Sequence, residues 1–141
     1  MLYVVDSSVA LKWFFDEPLK TQARAFAQAL ESKTHLGVAP DLLMAEVAHV
    51  VRKRQMERKL SIEDARNIWR RFREAPIQYV PLPELIDEAF TLGLGEMVSF
   101  YDATYAQVAA ITGGRVLTAD GGLVANFGPR GLAVHLQDFI A

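Results

Sequence analysis

Four acidic residues occupy positions in the sequence where a carboxylate could bind a ligand or take part in catalysis, and two of them follow predicted strands. Asp6 comes directly after the apolar run at residues 2–5, and Asp120 comes shortly after a second apolar run at residues 116–118. The carboxyl ends of parallel strands meet at one edge of a sheet, which is where open α/β folds bind their ligands. We therefore expect Asp6 and Asp120 to share that edge.

The other two acids, Glu46 and Asp102, lie in predicted helices. The residues three and four positions from Glu46 include no Lys or Arg; they are Leu42, Leu43, His49 and Val50. A carboxylate on such an apolar helix is costly to desolvate unless a metal, an arginine or water meets it in the folded protein. Asp102 stands three residues after Ser99, in a pattern typical of a capping box at the start of a helix.

A site built from these four carboxylates would favour a hard metal cation. The sequence contains no cysteine, which excludes thiolate ligands, and Mg²⁺ and Mn²⁺ prefer the oxygens of carboxylates and water. Such ions polarise a phosphoryl group, lower the pKa of a bound water and stabilise charge on a leaving oxygen. If the fold brings the four acids together, the residues predict metal-assisted hydrolysis of a phosphodiester.

Most of these acids also have a purely structural explanation. Aspartate is a good helix N-cap, so Asp6, Asp102 and Asp120 could each simply satisfy free backbone amides. The hydroxyls of Ser7 and Ser8 could contact a ligand or a phosphate, but at the start of a helix we favour capping. The choice between capping and chemistry therefore depends on where the fold places these side chains.

Most of the positive charge lies between residues 52 and 73, in a predicted helical hairpin. Arg66, Arg70 and Arg73 fall at i, i+4 and i+7, so they share one helix face and could line the phosphates of a nucleic acid. An ordinary solvated face explains them equally well, because acidic residues dilute the patch. Both interpretations remain open at this point.

Composition restricts the class of protein. The 141 residues, 51% of them hydrophobic, suit one domain with a real core, and we assign residues 1–141 to a single domain. A net charge of −2 argues against a protein that coats nucleic acid through global charge. No GxGxxG or P-loop motif occurs. No apolar run approaches the ~20 residues of a membrane span, and with no cysteine and no export signal we expect a cytoplasmic protein.

Predicted strands and helices alternate along the chain and must position the acids. The strands cover residues 2–5, 35–39, 77–80, 115–118 and 132–136. The helices cover residues 9–15, a stretch from Pro18, residues 42–54 capped by Asp41, a stretch from Ser61 through Phe72, and residues 83–93 and 99–112, with a turn at 120–122. Without a two-residue hairpin signal, this alternation predicts a mainly parallel sheet covered on both faces. We expect a three-layer α/β/α domain.

Four segments of the sequence together resemble a known family. They are residues 4–14 (VVDSSVALKWF), 40–47 (PDLLMAEV), 101–105 (YDATY) and 117–120 (LTAD), and they span nearly the whole chain. In this order they resemble the acidic motifs of PIN-domain proteins, and more narrowly those of the VapC-type toxin ribonucleases of bacterial and archaeal toxin–antitoxin pairs. The resemblance implies a PIN-like nuclease domain across the chain.

The resemblance also implies roles for single residues and for partners. The acidic quartet around one or two Mg²⁺ or Mn²⁺ ions would be Asp6, Glu46, Asp102 and Asp120. Thr118 would be an auxiliary residue. Many relatives have Asn or Thr two residues after the first acid, where this chain has Ser8, so the Ser8 hydroxyl is a second auxiliary candidate. RNA would be the substrate, and the protein would form a homodimer that binds a small antitoxin protein.

Two functions from other classes remain open. A haloacid-dehalogenase-type phosphatase also uses an Asp after its first strand, although it normally has a second Asp two residues later, where Ser8 stands here. A non-catalytic RNA-binding or protein-interaction module could keep the fold and the basic hairpin. Metal-dependent turnover of RNA, of a small phosphoester or of neither would separate these functions.

Overall fold

Five apolar segments form the strands of a single sheet. In the computed structural model, which describes residues 1–141, the strands are β1 (Leu2–Val5), β2 (Leu36–Pro40), β3 (Ile77–Val80), β4 (Arg115–Thr118) and β5 (Ala133–His135). Their order across the sheet is β3-β2-β1-β4-β5, and every neighbouring pair is parallel. The predicted parallel sheet is therefore confirmed, and the strand bounds agree with the predicted ones to within one residue.

Seven helices cover the two faces of this sheet. They are α1 (Ser7–Ala10), α2 (Lys20–Glu31), α3 (Leu42–Met56), α4 (Ile62–Glu74), α5 (Ile86–Gly93), α6 (Phe100–Thr112) and α7 (Gly121–Phe127). The predicted helices at 9–15 and 83–93 are partly 3₁₀ in the structure, at Leu11–Trp13 and Leu82–Glu84. The chain crosses the sheet in one direction from β1 to β3 and in the other from β3 to β5. Right-handed crossovers then place α1 to α4 on one face and α5 to α7 on the other, which gives the expected three layers.

The reversal of direction creates a crevice beside the first strand. β1 and β4 are neighbours, with Val5 paired to Leu117, yet the chain winds outward from them in opposite directions. Open parallel sheets bind their ligands at such a switch point, beyond the carboxyl ends of the strands. Asp6 follows β1 directly and Asp120 follows β4, so the fold places both residues at this crevice.

Side-chain hydrogen bonds confirm two predicted helix starts. The Ser61 hydroxyl accepts a hydrogen bond from the backbone amide of Asp64 at 3.0 Å, and the Ser99 hydroxyl accepts one from the amide of Asp102 at 3.1 Å. Each bond satisfies an amide that the first helical turn leaves without a partner. The Ser99 cap fixes where α6 begins and so places Asp102 in its first turn.

The predicted cap of α3 is wrong. Asp41 makes no side-chain capping bond to that helix. Its Oδ1 instead accepts a hydrogen bond from the backbone amide of Leu82 at 2.9 Å. The carboxylate therefore ties the end of β2 to the chain that follows β3, because a partner distant in sequence competes successfully with the local amides.

The predicted turn at residues 120–122 is also wrong, because α7 begins there. Asp120 is its N-cap, and its Oδ1 accepts hydrogen bonds from the amides of Gly122 and Leu123 at 2.8 and 3.4 Å. A glycine inside a helix costs about 1 kcal/mol relative to alanine, which made a turn the expected structure. The cap and the burial of Leu123 and Phe127 outweigh that cost.

One hydrophobic core holds the layers together. It contains 29 buried residues, drawn from the strands and from both helical layers. Val4 and Val5 of the central strand β1 are completely buried within it, so the strand that carries Asp6 is anchored on both faces. No helix combines the length and the apolar content that crossing a membrane requires.

Candidate active site

Four separate elements deliver the four acids to the crevice. Asp6 and Asp120 come from the ends of β1 and β4, while Glu46 lies on α3 and Asp102 lies in the first turn of α6. The two helices belong to opposite layers and start at the carboxyl edge of the sheet, because α3 follows β2 and α6 leads back toward β4. The fold thus brings residues from positions 6 to 120 to one region.

Asp6 is the most enclosed of the four, with only 6% of its surface exposed. Its Oδ2 accepts hydrogen bonds from the hydroxyls of Ser8 at 2.6 Å and Thr118 at 2.7 Å. Those two hydroxyls in turn accept hydrogen bonds from the backbone amides of Ala119 and Asp120, each at 3.0 Å. Ser8 and Thr118, the two predicted auxiliary residues, are therefore direct partners of Asp6. Hydroxyl donors of this kind hold a buried carboxylate in place and stabilise its charge.

Glu46 is held by two other hydroxyls. The Tyr105 hydroxyl donates a 2.5 Å hydrogen bond to Oε1, and the Ser7 hydroxyl donates a 3.4 Å hydrogen bond to Oε2. Burial and the neighbouring Glu46 carboxylate raise the pKa of Tyr105, so its hydroxyl stays protonated and remains a donor. The preference for Ser7 and Ser8 as helix caps is wrong, because both hydroxyls bind acids of the site.

No cation of the protein balances the charge of these acids. None of the four carboxylates takes part in a salt bridge. Burial, followed by the negative charges of Asp6 and Asp120, raises the pKa of Asp102 to about 6. Burial is also the largest cause of the raised pKa of Glu46, to which Asp6 and Asp102 add. The charges of Asp6, Asp102 and Asp120 each raise the pKa of at least one other acid of the set, so the four acids belong to one electrostatic site.

The pKa of Asp6 follows the same rule. Burial raises it, the hydrogen bonds from Ser8 and Thr118 oppose that rise, and the charge of Asp120 adds to it. Loss of solvent contact therefore exceeds repulsion between carboxylates as the main cost of the site. The hydroxyls of Ser7 and Tyr105 donate hydrogen bonds to Glu46, and the Thr118 hydroxyl donates one to Asp6. These bonds hold the two carboxylates in their orientations.

The chemistry of the donor set fits a divalent cation, although no three of the acids form a ready-made coordination cage. Carboxylate oxygens with hydroxyl support, and no thiolate, are what Mg²⁺ and Mn²⁺ prefer. Oδ2 of Asp120 accepts no protein hydrogen bond, since the α7 amides bind only Oδ1. The negative charges of the carboxylates repel one another, and a bound cation would offset that repulsion.

The three arginines of the predicted phosphate track have different surroundings. Arg70 lies 3.3 Å from Glu74 in a salt bridge, and Arg73 lies over the Trp69 ring with its guanidinium against Met44. Arg66 lines a groove of about 820 Å³ between α3 and α4. All three are exposed, but only Arg66 and Arg70 of the set have guanidinium groups free of an aromatic neighbour. They do not form one continuous unpaired track.

Sequence reasoning missed the role of Tyr105. Its motif was recognised through Asp102, which lies three residues earlier and so on the same face of α6. A tyrosine at this spacing, among the alanines and the single valine that are buried on the helix, is a usable signal, because a buried hydroxyl needs a partner. That partner is Glu46, 59 residues away in sequence.

Comparisons with known proteins identify the family of this chain. The family model described as "PIN domain" matches residues 3–126. Ribonuclease VapC3 of Pyrobaculum aerophilum is 33% identical over 132 residues, which cover 90% of this chain and 95% of that protein.

Two solved structures share the fold at lower sequence identity. The crystal structure of PAE2754 from Pyrobaculum aerophilum superposes with a TM-score of 0.71 at 20% identity, covering 97% of this chain and 85% of that one. The crystal structure of VapBC2 from Rickettsia felis, bound to a DNA fragment from its promoter, superposes with a TM-score of 0.69 at 13% identity. The match covers 96% of this chain and 98% of that one. With the family match over most of its length, the chain belongs to the PIN-domain family.

Proposed function

We propose that this protein is a metal-dependent endoribonuclease and the toxin of a type II toxin–antitoxin pair. The observation that carries the proposal is the cluster of Asp6, Glu46, Asp102 and Asp120, whose charges interact at the β1–β4 crevice without any Lys or Arg partner. The 33% identity to a protein named Ribonuclease VapC3 supports RNA as the substrate. Membership of the PIN-domain family argues against the alternative of a haloacid-dehalogenase-type phosphatase.

The proposed roles follow from the contacts of each side chain. The residues that would hold Mg²⁺ or Mn²⁺ are Asp6, Glu46, Asp102 and Asp120. A bound divalent ion supplies Lewis acidity at the scissile phosphoryl group. Ser8 and Thr118 orient Asp6 through their hydrogen bonds, which favour its ionised form and oppose the rise in pKa that burial causes.

The proposed reaction is hydrolysis without a covalent enzyme intermediate. Water attacks the phosphorus atom in line, the bond from phosphorus to the 3′ oxygen breaks, and the products carry a 5′-phosphate and a 3′-hydroxyl. In this proposal the hydroxyls of Ser7, Ser8 and Thr118 serve as hydrogen-bond donors to the carboxylates, as they do in the structure, and none of them attacks phosphorus. This distinguishes the proposal from nucleophilic catalysis.

We extend the proposal to RNA contacts and to partners. Arg66 is the strongest candidate for a phosphate contact, because Arg70 and Arg73 already engage Glu74 and Trp69. A small antitoxin partner is supported by the structural similarity to VapBC2. We also propose a homodimer and activity in the cytoplasm, as in the VapC-type family that the sequence resembles.

A substrate comparison tests the proposed function. Purified protein is incubated with a structured RNA, an unstructured RNA and p-nitrophenyl phosphate, each in Mg²⁺, Mn²⁺ or EDTA. We expect cleavage of RNA only, in the presence of either metal, with 5′-phosphate ends that accept a ligated adaptor. Hydrolysis of p-nitrophenyl phosphate without RNA cleavage would support a phosphatase, and no turnover of any substrate would support a binding module.

A further inference from the structure

The carboxylate of Glu46 has a hydroxyl donor on each of its two oxygens, and the donors come from different layers of the fold. Tyr105 on α6 donates to Oε1 at 2.5 Å, and Ser7 on α1 donates to Oε2 at 3.4 Å. We propose that Tyr105, assisted by Ser7, is a positioning residue that orients Glu46 for a divalent cation. This inference rests on the proposed metal-dependent function.

The rigidity of the Tyr105 ring makes it suitable for this role. Only 1% of its surface is exposed, and it belongs to the main hydrophobic core. Close packing on all sides leaves the ring a single orientation, so the hydroxyl is delivered to a fixed point. A donor fixed in this way transfers the rigidity of the core to the carboxylate that accepts its hydrogen bond.

Glu46 needs such a partner more than Asp6 and Asp120 do. Its side chain is longer than that of an aspartate and only partly buried, and no Lys or Arg pairs with it. Asp6 already has the hydroxyls of Ser8 and Thr118, and Asp120 is held by amides at the start of α7. Without Tyr105 and Ser7, Glu46 would be free to rotate away from the crevice.

The two serines after Asp6 connect the hydrogen bonds of Glu46 with those of Asp6. Ser7 donates to Glu46 and the adjacent Ser8 donates to Asp6, so one helical turn orients two acids at once. Tyr105 completes this set from the opposite layer of the fold. Partners that orient metal ligands in this way typically change metal affinity by about 10- to 100-fold when they are removed.

Metal binding without RNA tests the inference directly. Mn²⁺ is titrated into the wild-type protein, Tyr105→Phe and Tyr101→Phe, and free Mn²⁺ is followed by electron paramagnetic resonance. Tyr101→Phe is the matched control, because it makes the same chemical change on the same helix at a residue that is 57% exposed. We expect about 10- to 100-fold weaker Mn²⁺ binding in Tyr105→Phe and no change in Tyr101→Phe.

A double-mutant comparison separates positioning from a general structural effect. In a Glu46→Gln background, we expect Tyr105→Phe to change Mn²⁺ affinity by less than about twofold, since its effect passes through Glu46. An equal loss in both backgrounds would overturn the inference. If Tyr105→Phe does not fold, Ser7→Ala is used in its place, and we expect a loss of Mn²⁺ affinity that again disappears with Glu46→Gln.

The outcomes distinguish this inference from the proposed function. Wild-type Mn²⁺ affinity in Tyr105→Phe would overturn the positioning role alone. Failure of the wild-type protein itself to bind Mn²⁺ would overturn the metal-dependent function, and this inference with it.

Discussion

The Thr118 hydroxyl donates a 2.7 Å hydrogen bond to Oδ2 of Asp6 across 112 positions of sequence. Thr118 is the last residue of β4 and Asp6 is the first residue after β1. The bond therefore connects the carboxyl ends of these two strands at the switch point of the sheet. The same hydroxyl accepts a hydrogen bond from the amide of Asp120. Strand pairing, a buried acid and the start of α7 are therefore coupled through one side chain.

Removing this hydroxyl tests the coupling. Thr118→Val keeps the shape of the side chain but leaves Asp6 with one fewer donor and the Asp120 amide without its acceptor. Since hydrogen bonds to buried charged groups matter most, we expect the free energy of unfolding to fall by about 1–3 kcal/mol. Urea denaturation in EDTA measures it. Thr91→Val, on an exposed face of α5, should change it by less than about 0.5 kcal/mol, and an equally small effect at Thr118 would refute the coupling.

The pH dependence of stability tests the electrostatics of Asp102. Burial and nearby carboxylates raise its folded pKa to about 6. Protonated Asp102 therefore favours the folded state; this contribution is fully present below the unfolded pKa of ~3.9 and is lost as pH rises through about 6. In EDTA, we expect Asp102→Asn to be more stable than the wild-type protein at pH 7, with the difference shrinking toward pH 4.

Urea denaturation of both proteins at several pH values between 4 and 7 measures this difference. The lowered pKa of His35 also affects stability in this range, but it contributes equally to both proteins and cancels. Asp87→Asn, an exposed acid in the first turn of α5, is the control and should show no such trend. A difference between Asp102→Asn and wild type that stays constant with pH would argue against a raised pKa.

Much of the fold follows from local sequence, but the strand order does not. Apolar runs bounded by Pro, Gly and Asp located all five strands, because burial on both faces requires continuous hydrophobic residues. The order β3-β2-β1-β4-β5 depends on contacts between segments far apart in sequence, which no local pattern encodes. The Gly121–Gly122 pair shows the same limit, since its helical structure depends on the Asp120 cap and on the tertiary burial of Leu123 and Phe127.

The sequence indicated the four acids of the candidate site and two of their hydroxyl partners, Ser8 and Thr118, but not the partners of Glu46. Asp6 and Asp120 were identified by position after strands, and Glu46 by the lack of a local cation. Tyr105 and Ser7 escaped because a hydroxyl reveals its acceptor only when the chain is folded. Burial, the largest cause of the raised pKa values, likewise depends on packing that the sequence does not state.

Stabilisation of the fold by bound Mg²⁺ gives a second test that the four acids form one charged site. With Mg²⁺ at ten times its dissociation constant, binding should stabilise the wild-type protein by roughly 1.4 kcal/mol, or about 3–6 °C in Tm. Asp120→Asn removes a charge that raises the pKa values of Asp6 and Asp102, yet an amide can still cap α7. We expect a higher Tm in EDTA and a smaller Mg²⁺ response. Thermal melts measure both, and an equal Mg²⁺ shift would place Asp120 outside the metal site.

Salt dependence tests the proposed RNA contact at Arg66. Each lost phosphate contact should lower the slope of log K against log salt by about one unit. We expect this for Arg66→Glu, measured by fluorescence anisotropy in an Asp6→Asn background that prevents cleavage. Arg115→Glu makes the same charge change at the start of β4. This position lies at the amino ends of the strands, opposite the edge that carries the acids, so the variant should leave the slope unchanged. Equal slopes in the two variants would remove Arg66 from the RNA interface.

The most direct test of the account is RNA cleavage by Asp6→Asn in the presence of Mg²⁺. The amide keeps the shape of the side chain but loses the charge that a hard cation needs. Asp41→Asn is the matched control, because Asp41 follows β2 at the same edge of the sheet and its side chain hydrogen-bonds to the Leu82 amide and to none of the four acids. We predict that wild type and Asp41→Asn cleave, that EDTA stops both, and that Asp6→Asn is inactive with a normal far-ultraviolet circular dichroism spectrum. Full cleavage by folded Asp6→Asn would contradict the proposed active site.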